Sequence, residues 1–101
     1  MIKITRSFTR ASTNIPWHDH ALALSPYKTQ IGSLVTSGVI LSNNRIESQD
    51  GLNLTYEMTF ADQNHYDQYL TDATLNNYWL QRNAYCTRAN ITMSQITVET
   101  I

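Results

Sequence analysis

The sequence predicts a single α+β domain of the ferredoxin-like kind, βαββαβ, with a four-stranded antiparallel sheet carrying its helices on one face. Three observations lead there. Strand-like alternation opens and closes the chain, and one helical stripe follows the first strand while a longer one follows a central hairpin. The hairpin is apolar on one side only, which suits an antiparallel sheet with one covered face. Finally, 101 residues leave room for one core and no second domain.

Residues 2–10 alternate, with Ile2, Ile4 and Phe8 on one side and Lys3, Thr5, Ser7 and Thr9 on the other; Arg6 is the misfit on the apolar side. Residues 11–24 carry no sustained period and include Asn14, Pro16 and the run Trp17-His18-Asp19-His20. A connection this long is a candidate functional or partner-touching loop, in which an exposed Trp17 would be a natural anchor. Ser25-Pro26 reads as an N-cap followed by a first-turn proline, Tyr27, Ile31, Leu34 and Val35 follow at helical spacing, and Gly38 ends the helix.

Residues 39–60 form a hairpin for which two registers compete. A two-residue Asp50-Gly51 turn pairs Gln49 with Leu52 and sets Glu47 against Leu54. A three-residue loop with Gly51 in a left-handed bulge pairs Ser48 with Leu52, Ile46 with Leu54 and Ile40 with Phe60. The second gathers Ile40, Ile46, Leu52, Leu54, Tyr56, Met58 and Phe60 on one face and is the expected one. It leaves Leu41, Asn43, Arg45, Glu47, Asn53, Thr55, Glu57 and Thr59 on the reverse face, polar apart from Leu41.

Asp62 can cap the next helix, with Tyr66, Tyr69 and Leu70 on its inner side. Asp72 restarts the phase, and Leu75, Trp79, Arg82 and Cys86 continue at i, i+4, i+7 and i+11, so residues 62–89 read as two consecutive helices or one kinked near Thr71-Asp72. Residues 91–101 return to strand composition, with Ile96 and Val98 as the inward alternates.

The surface is poor in charge. Seven basic and eight acidic residues leave a net charge of −1, while thirteen threonines, nine asparagines, eight serines and six glutamines supply the polarity. This balance excludes a strongly electrostatic nucleic-acid binder and a polybasic membrane-surface protein, and it favours self-association. RNA readout is excluded further by a reverse sheet face without aromatics. Cys86 is the only cysteine, so there is no disulfide framework. The opening residues lack an apolar signal-peptide core, and no window approaches the about 20 apolar residues of a membrane span. The expectation is a cytoplasmic protein, for which the sequons at Asn53 and Asn90 carry little weight.

Candidate chemistry is sparse. In an extended segment His18 and His20 would project to one side and could share a metal with His65 or Asp19, but two ligands are not a ligand set, and no metal or other cofactor is expected. His65, near a helix N-terminus, is the one candidate base. Tyr56, Trp79 and Tyr85, with Met58 and Phe60, would line a pocket between sheet and helices, although aromatic stripes at these spacings are more often plain core. Arg82 interrupts the stripe Leu75-Trp79-Cys86. Either its stem packs inward with the guanidinium in solvent, the simpler reading, or it offers a buried fork to a carboxylate or ligand. Cys86, near a helix C-terminus, is expected to be an inert thiol.

Two resemblances bear on function. Leu54-Thr55-Tyr56-Glu57-Met58-Thr59-Phe60, Ala61-Asp62-Gln63-Asn64-His65-Tyr66, then Trp79 and Tyr85, resemble the third-strand-to-second-helix segment of dimeric α+β-barrel proteins, of which the antibiotic-biosynthesis-monooxygenase-like group is the best-known branch. That resemblance implies the fold and a homodimer. It also implies a rival function, a metal-free small-molecule enzyme or ligand binder with its pocket near Tyr56, His65, Trp79 and Arg82. The whole chain also resembles small proteins of large tailed phages of marine bacteria, cyanobacterial hosts included, through its opening Met1-Ile2-Lys3-Ile4-Thr5-Arg6-Ser7-Phe8-Thr9-Arg10 and its closing Thr97-Val98-Glu99-Thr100-Ile101. That second resemblance implies a viral protein of the host cytoplasm, or a virion accessory component, with a host or virion protein as partner. The leading expectation is a non-enzymatic module that self-associates as a homodimer or larger assembly, without nucleic-acid or membrane partners. Its contacts would come from the polar sheet face at Asn43, Arg45 and Glu57, and from the loop at Trp17, His18 and His20.

Overall fold

The computed structural model describes residues 1–22 and 24–101. Strand β1 spans Ile2–Thr9, followed by a short helical turn α1 at His18–Ala21 and helix α2 at Ser25–Thr36. The hairpin strands are β2, Ser42–Glu47, and β3, Asn53–Phe60; helices α3, Gln63–Leu70, and α4, Ala73–Ala89, come next. The chain closes with β4 at Thr92–Met93 and β5 at Thr97–Thr100. The sheet is antiparallel in the order β2-β3-β1, with β4 and β5 sharing the far edge of β1. This is the expected ferredoxin-like arrangement with its last strand divided.

The division has a simple cause. Met93 lies opposite Phe8, but Val98 lies opposite Ile4, so the last strand carries one residue more than β1 over the same stretch. That is a bulge across from Arg6 and Ser7. Ser94 holds it to β1, its N–H donating to the Ser7 carbonyl (2.8 Å) and its Oγ accepting from the Ser7 N–H (2.9 Å).

The hairpin register differs from the expected one by a single residue. Glu47 lies opposite Leu54, Arg45 opposite Tyr56 and Asn43 opposite Met58. The loop is four residues long, Gln49 to Leu52, closed by Ser48 N–H to the Asn53 carbonyl (2.9 Å) and by Gly51 N–H to the Ser48 carbonyl (3.0 Å), with Gly51 in the left-handed region (φ 74°). Arg10 keeps Leu52 out of the ladder, because its N–H bonds the Leu52 carbonyl (2.9 Å) and its Nε bonds the Gly51 carbonyl (2.8 Å). A one-residue slip exchanges the faces of a strand. Asn43, Arg45 and Glu47 therefore lie on the helix side, and Ile46, expected in the core, is 49% exposed on the open face. Of the three proposed sheet contacts only Glu57 remains on that face, paired with Lys3 (2.9 Å).

Helix boundaries follow local chemistry. Asp62 Oδ1 accepts from the His65 N–H (3.0 Å), and Asp72 Oδ1 accepts from the Leu75 N–H (2.9 Å), so two capped helices replace one long one. Helix α2 begins one residue earlier than expected: Leu24 occupies the N-cap position without a side-chain bond, and Ser25 and Pro26 are its first two residues. It ends in a Schellman motif, Gly38 (φ 83°) donating to the Val35 carbonyl and Val39 to the Leu34 carbonyl. Asp72 also accepts from Gln30 Nε2 (2.6 Å), tying α4 to α2. Asp72→Ala is accordingly expected to lower stability by about 1–2 kcal/mol in urea denaturation. An unchanged midpoint would show that neither bond contributes.

Two hydrophobic clusters lie between sheet and helices. One gathers Ile4, Ile31, Leu34, Met58, Phe60, Tyr66, Tyr69 and Leu75 with Val39 and Ile40; the other holds Phe8, Trp17, Leu54, Cys86 and Ile91. The segment 11–24, of which Ala23 lies outside the described residues, folds over the second cluster. Trp17 is 1% exposed, with Nε1 donating to Glu47 (2.6 Å) and the Arg10 guanidinium 4.3 Å from its ring, so it is a core residue and no exposed anchor. The polar side chains of β2 face inward because this segment meets them with polar groups. Among the described residues no helix is long and apolar enough to cross a membrane.

Candidate functional site

The two clusters do not merge, and a cavity of about 120 Å³ lies between them. From β1 it takes Ile4, Arg6 and Phe8, from β3 Tyr56 and Met58, and from α1 His18 and Asp19. Helices α2, α3 and α4 contribute Tyr27, Tyr69, Leu70, Tyr78, Trp79 and Arg82, and Ile96, in the bulge, completes the lining. The wall is largely aromatic: Tyr27 stacks on Tyr78 (4.0 Å), and Trp79 meets Tyr69 edge-on (5.1 Å).

At one end of the cavity the residues of α1 meet β3. The Asp19 carboxylate accepts from the Tyr56 hydroxyl (2.5 Å) and from Arg45 Nε (2.6 Å) and Nη2 (3.3 Å). Burial works against ionisation of Asp19, but the Arg45 and Tyr56 hydrogen bonds prevail, and its carboxyl is held below the usual range. The same carboxylate and, above all, burial push the Tyr56 hydroxyl well above the ordinary phenol range, so Tyr56 remains a neutral donor fixed on Asp19. His18 beside it is 3% exposed, its ring packed on Phe8 (4.7 Å) and near Tyr56 (5.9 Å) and Tyr78 (6.4 Å). Burial, only partly opposed by Asp19, lowers its pKa to about 4, so the imidazole is uncharged at neutral pH.

Three buried polar atoms find no partner among the described residues: Arg6 Nε, His18 Nδ1 and the Tyr78 hydroxyl. All three belong to residues lining this one cavity. A buried polar group without a partner is unfavourable by roughly 1–3 kcal/mol, so three on one wall point to a site arranged for something besides packing.

The predicted site residues divide. Tyr56, Trp79 and Arg82 are among the residues that line the cavity. Tyr85 does not: its hydroxyl donates to the Pro16 carbonyl (2.6 Å), and its ring joins the Trp17 cluster. His65 is also elsewhere, on the first turn of α3 with Nδ1 2.5 Å from Asp62 Oδ1, and does not line this cavity. His18 and His20 share no side, because two residues apart on a helical turn they point oppositely; His20 is exposed, 3.7 Å from Asp19. Among the described residues no group of three His, Cys, Asp or Glu side chains could hold a metal ion. Cys86 is buried, and burial raises its thiol.

Arg6, His18, Asp19, Tyr27 and Tyr78 were not foreseen as cavity residues. For Arg6 the signal was present: both basic residues that broke an apolar stripe, Arg6 in β1 and Arg82 in α4, line the cavity. A cation on an inward face is the mark of a gap in the core, because a filled core has no place for one.

No protein-family model matches the chain, and no curated protein matches it in sequence. Solved structures of similar fold do match. An antibiotic biosynthesis monooxygenase superposes with a TM-score of 0.67 at 12% identity, over 100% of this chain and 98% of that one. The cofactor-independent oxygenase SnoaB from Streptomyces nogalater, in a substituted form, gives 0.69 at 9% identity over 99% and 91%. A dimeric ferredoxin-like protein from an uncultured marine organism gives 0.65 at 9% over 99% and 94%. At these identities the likeness is one of fold.

Proposed function

We propose that the chain binds a small organic molecule, a single aromatic ring in size, in the cavity between sheet and helices. The observation that carries this reading is the cavity wall on which His18 Nδ1, Arg6 Nε and the Tyr78 hydroxyl all lack a partner among the described residues. Size selects the ligand. An engineered cavity of about 150 Å³ accommodates benzene, and the space here is close to that. The stacked Tyr27–Tyr78 pair, Phe8 and Trp79 offer flat apolar surface to such a ring. Uncharged His18 exchanges a hydrogen bond with a polar substituent, and Asp19 holds the Tyr56 hydroxyl away from that role. The fold shared with an antibiotic biosynthesis monooxygenase and a cofactor-independent oxygenase supports small-molecule work over a purely adhesive role.

Titration of the protein with single-ring aromatics, followed by Trp79 fluorescence and thermal melting, tests the reading. A ligand at 100 times its Kd should raise stability by about 2.7 kcal/mol. Ile96→Trp, at a 40% exposed position of the lining, should close the cavity and abolish binding while leaving the fold intact. No saturable binding, or binding untouched by that substitution, refutes it.

The assembly we propose is a homodimer through the open sheet face, where Lys3, Thr5, Asn44, Ile46, Glu57 and Thr59 present a polar, nearly charge-balanced surface around one exposed isoleucine. The dimeric relative in fold supports it. Sedimentation should show dimer at micromolar concentration and monomer for Ile46→Glu; a wild type monomeric at high micromolar concentration removes the claim. The likeness of the chain ends to phage proteins supports a viral setting, and mass spectrometry of purified particles separates a virion component from a host-cytoplasm protein.

A further inference from the structure

We infer that the molecule held in the cavity is an anion, a single-ring aromatic acid whose carboxylate lies between Arg6 and Arg82. This rests on the ligand-binding reading above and names its substrate class.

Arg6 sits between Ile4 and Phe8 on the covered face of β1, and its Nε is buried without a partner among the described residues. Arg82 enters from α4 on the other side, its guanidinium 5.6 Å from the Phe8 ring. Among the described residues its hydrogen bonds go only to the Asn83 amide oxygen (3.2 and 3.0 Å), the neighbour on its own helix. Among the described residues neither arginine has a carboxylate within ion-pair distance, although the other close pairs, Lys3–Glu57, Arg10–Glu47 and Arg45–Asp19, are all matched. The one acid in the lining, Asp19, is already occupied by Arg45 and Tyr56. The cavity wall therefore carries two positive charges without a carboxylate partner among the described residues, and burial first, then the charge of Arg6, lowers the preference of Arg82 for its charged form.

Such an arrangement is unfavourable in the free protein. Unpaired charge at a buried site normally vanishes by pairing, by exposure or by substitution. Two planar guanidinium forks facing one small apolar space are what a carboxylate requires, since each can donate two parallel N–H bonds to it. The aromatic wall takes the ring, and the arginine pair takes the charge. A bare tetrahedral oxyanion would satisfy the charge and leave the ring wall unused, which is why the aromatic acid is favoured.

The test is calorimetric titration of the full chain with benzoate, 4-hydroxybenzoate and phenylacetate, with benzamide as the neutral match and inorganic phosphate as the ringless anion. At least one acid should bind about 10- to 100-fold more tightly than benzamide and phosphate. Arg6→Gln and Arg82→Gln should each weaken that acid by a similar factor while leaving benzamide affinity unchanged; Arg82→Lys should recover part of the loss, and circular dichroism checks the fold of each variant. Benzamide binding as tightly as the acids, or acid binding untouched in both glutamine variants, overturns the inference and leaves the cavity reading standing. Phosphate binding more tightly than every acid also overturns it. If no aromatic binds, acid or neutral, the cavity reading falls and this one with it.

Discussion

Trp17→Ala is expected to lower the folding free energy by about 3–5 kcal/mol, the usual range for emptying a large aromatic site in a core. The indole is 1% exposed and packs with Phe8, Leu54, Cys86 and Ile91. Truncation also removes two polar contacts. Glu47 loses its indole donor (2.6 Å), and the Arg10 guanidinium loses the ring beneath it (4.3 Å). A domain of this size has roughly 5–15 kcal/mol in all, so the alanine variant loses a large share of its stability and a milder substitution is needed beside it. Trp17→Phe resolves this: it keeps most of the buried area and loses the N–H, for an expected cost of about 1–2 kcal/mol. Guanidinium denaturation with an unchanged slope reads both. A Trp17→Ala loss below 1 kcal/mol would put the indole outside the core, as an exposed anchor.

The second large effect is a pH dependence centred on His18. The unfolded imidazole titrates near 6.5 and the folded one at about 4, because the site between Phe8, Tyr56 and Tyr78 excludes water, and Arg82, Arg45 and His20 add to the effect while Asp19 opposes it. Between these values the unfolded chain binds the proton and the folded chain does not, so stability falls as pH falls from about 6.5 to about 4. The full loss is on the order of 3 kcal/mol, from about 1.4 kcal/mol per unit. Above 6.5 the group contributes no slope. Below 4 the lowered carboxyls of Asp19, Asp50 and Asp62 take over. His18→Phe should flatten the melting temperature across the window while leaving the steeper acid limb in place. An equal slope in both proteins would mean that His18 is charged or solvated in the folded state.

The sequence made the helix ends legible because those ends are local. Asp62, Asp72 and Gly38 act within a few residues of themselves, and each was found where its chemistry required. Tyr56 and Trp79 stand out in the sequence as inward aromatics and Arg82 as the break in an apolar stripe, and all three line the cavity. The register of the hairpin was not. Both turns are chemically sound, and the tie was broken by placing Ile46 inside, which assumes that what covers β2 is apolar. What covers it is the segment carrying Asp19 and the Trp17 N–H, so Arg45 and Glu47 are the residues that fit beneath. That information is tertiary. For the same reason α1 escaped notice: four residues are too few for a period, and the turn is shaped by what His18 and Trp17 pack against. Arg6 was read as an irregularity in an otherwise regular strand, when it was a statement about the volume beside it.

The extra residue in the closing strand makes inside and outside there a matter of parity. Met93 and Val98 are an odd number of positions apart, yet they oppose Phe8 and Ile4, which share a face. A strand without the bulge would place them on opposite sides. Removing one residue from 94–96 would therefore leave composition almost untouched and invert the message of everything after it, turning Thr97 and Glu99 toward the helices and Val98 and Thr100 toward the open face. Length in this segment is consequently under tighter constraint than identity, and a chain that varied it would change its sheet surface and its cavity rim in a single step.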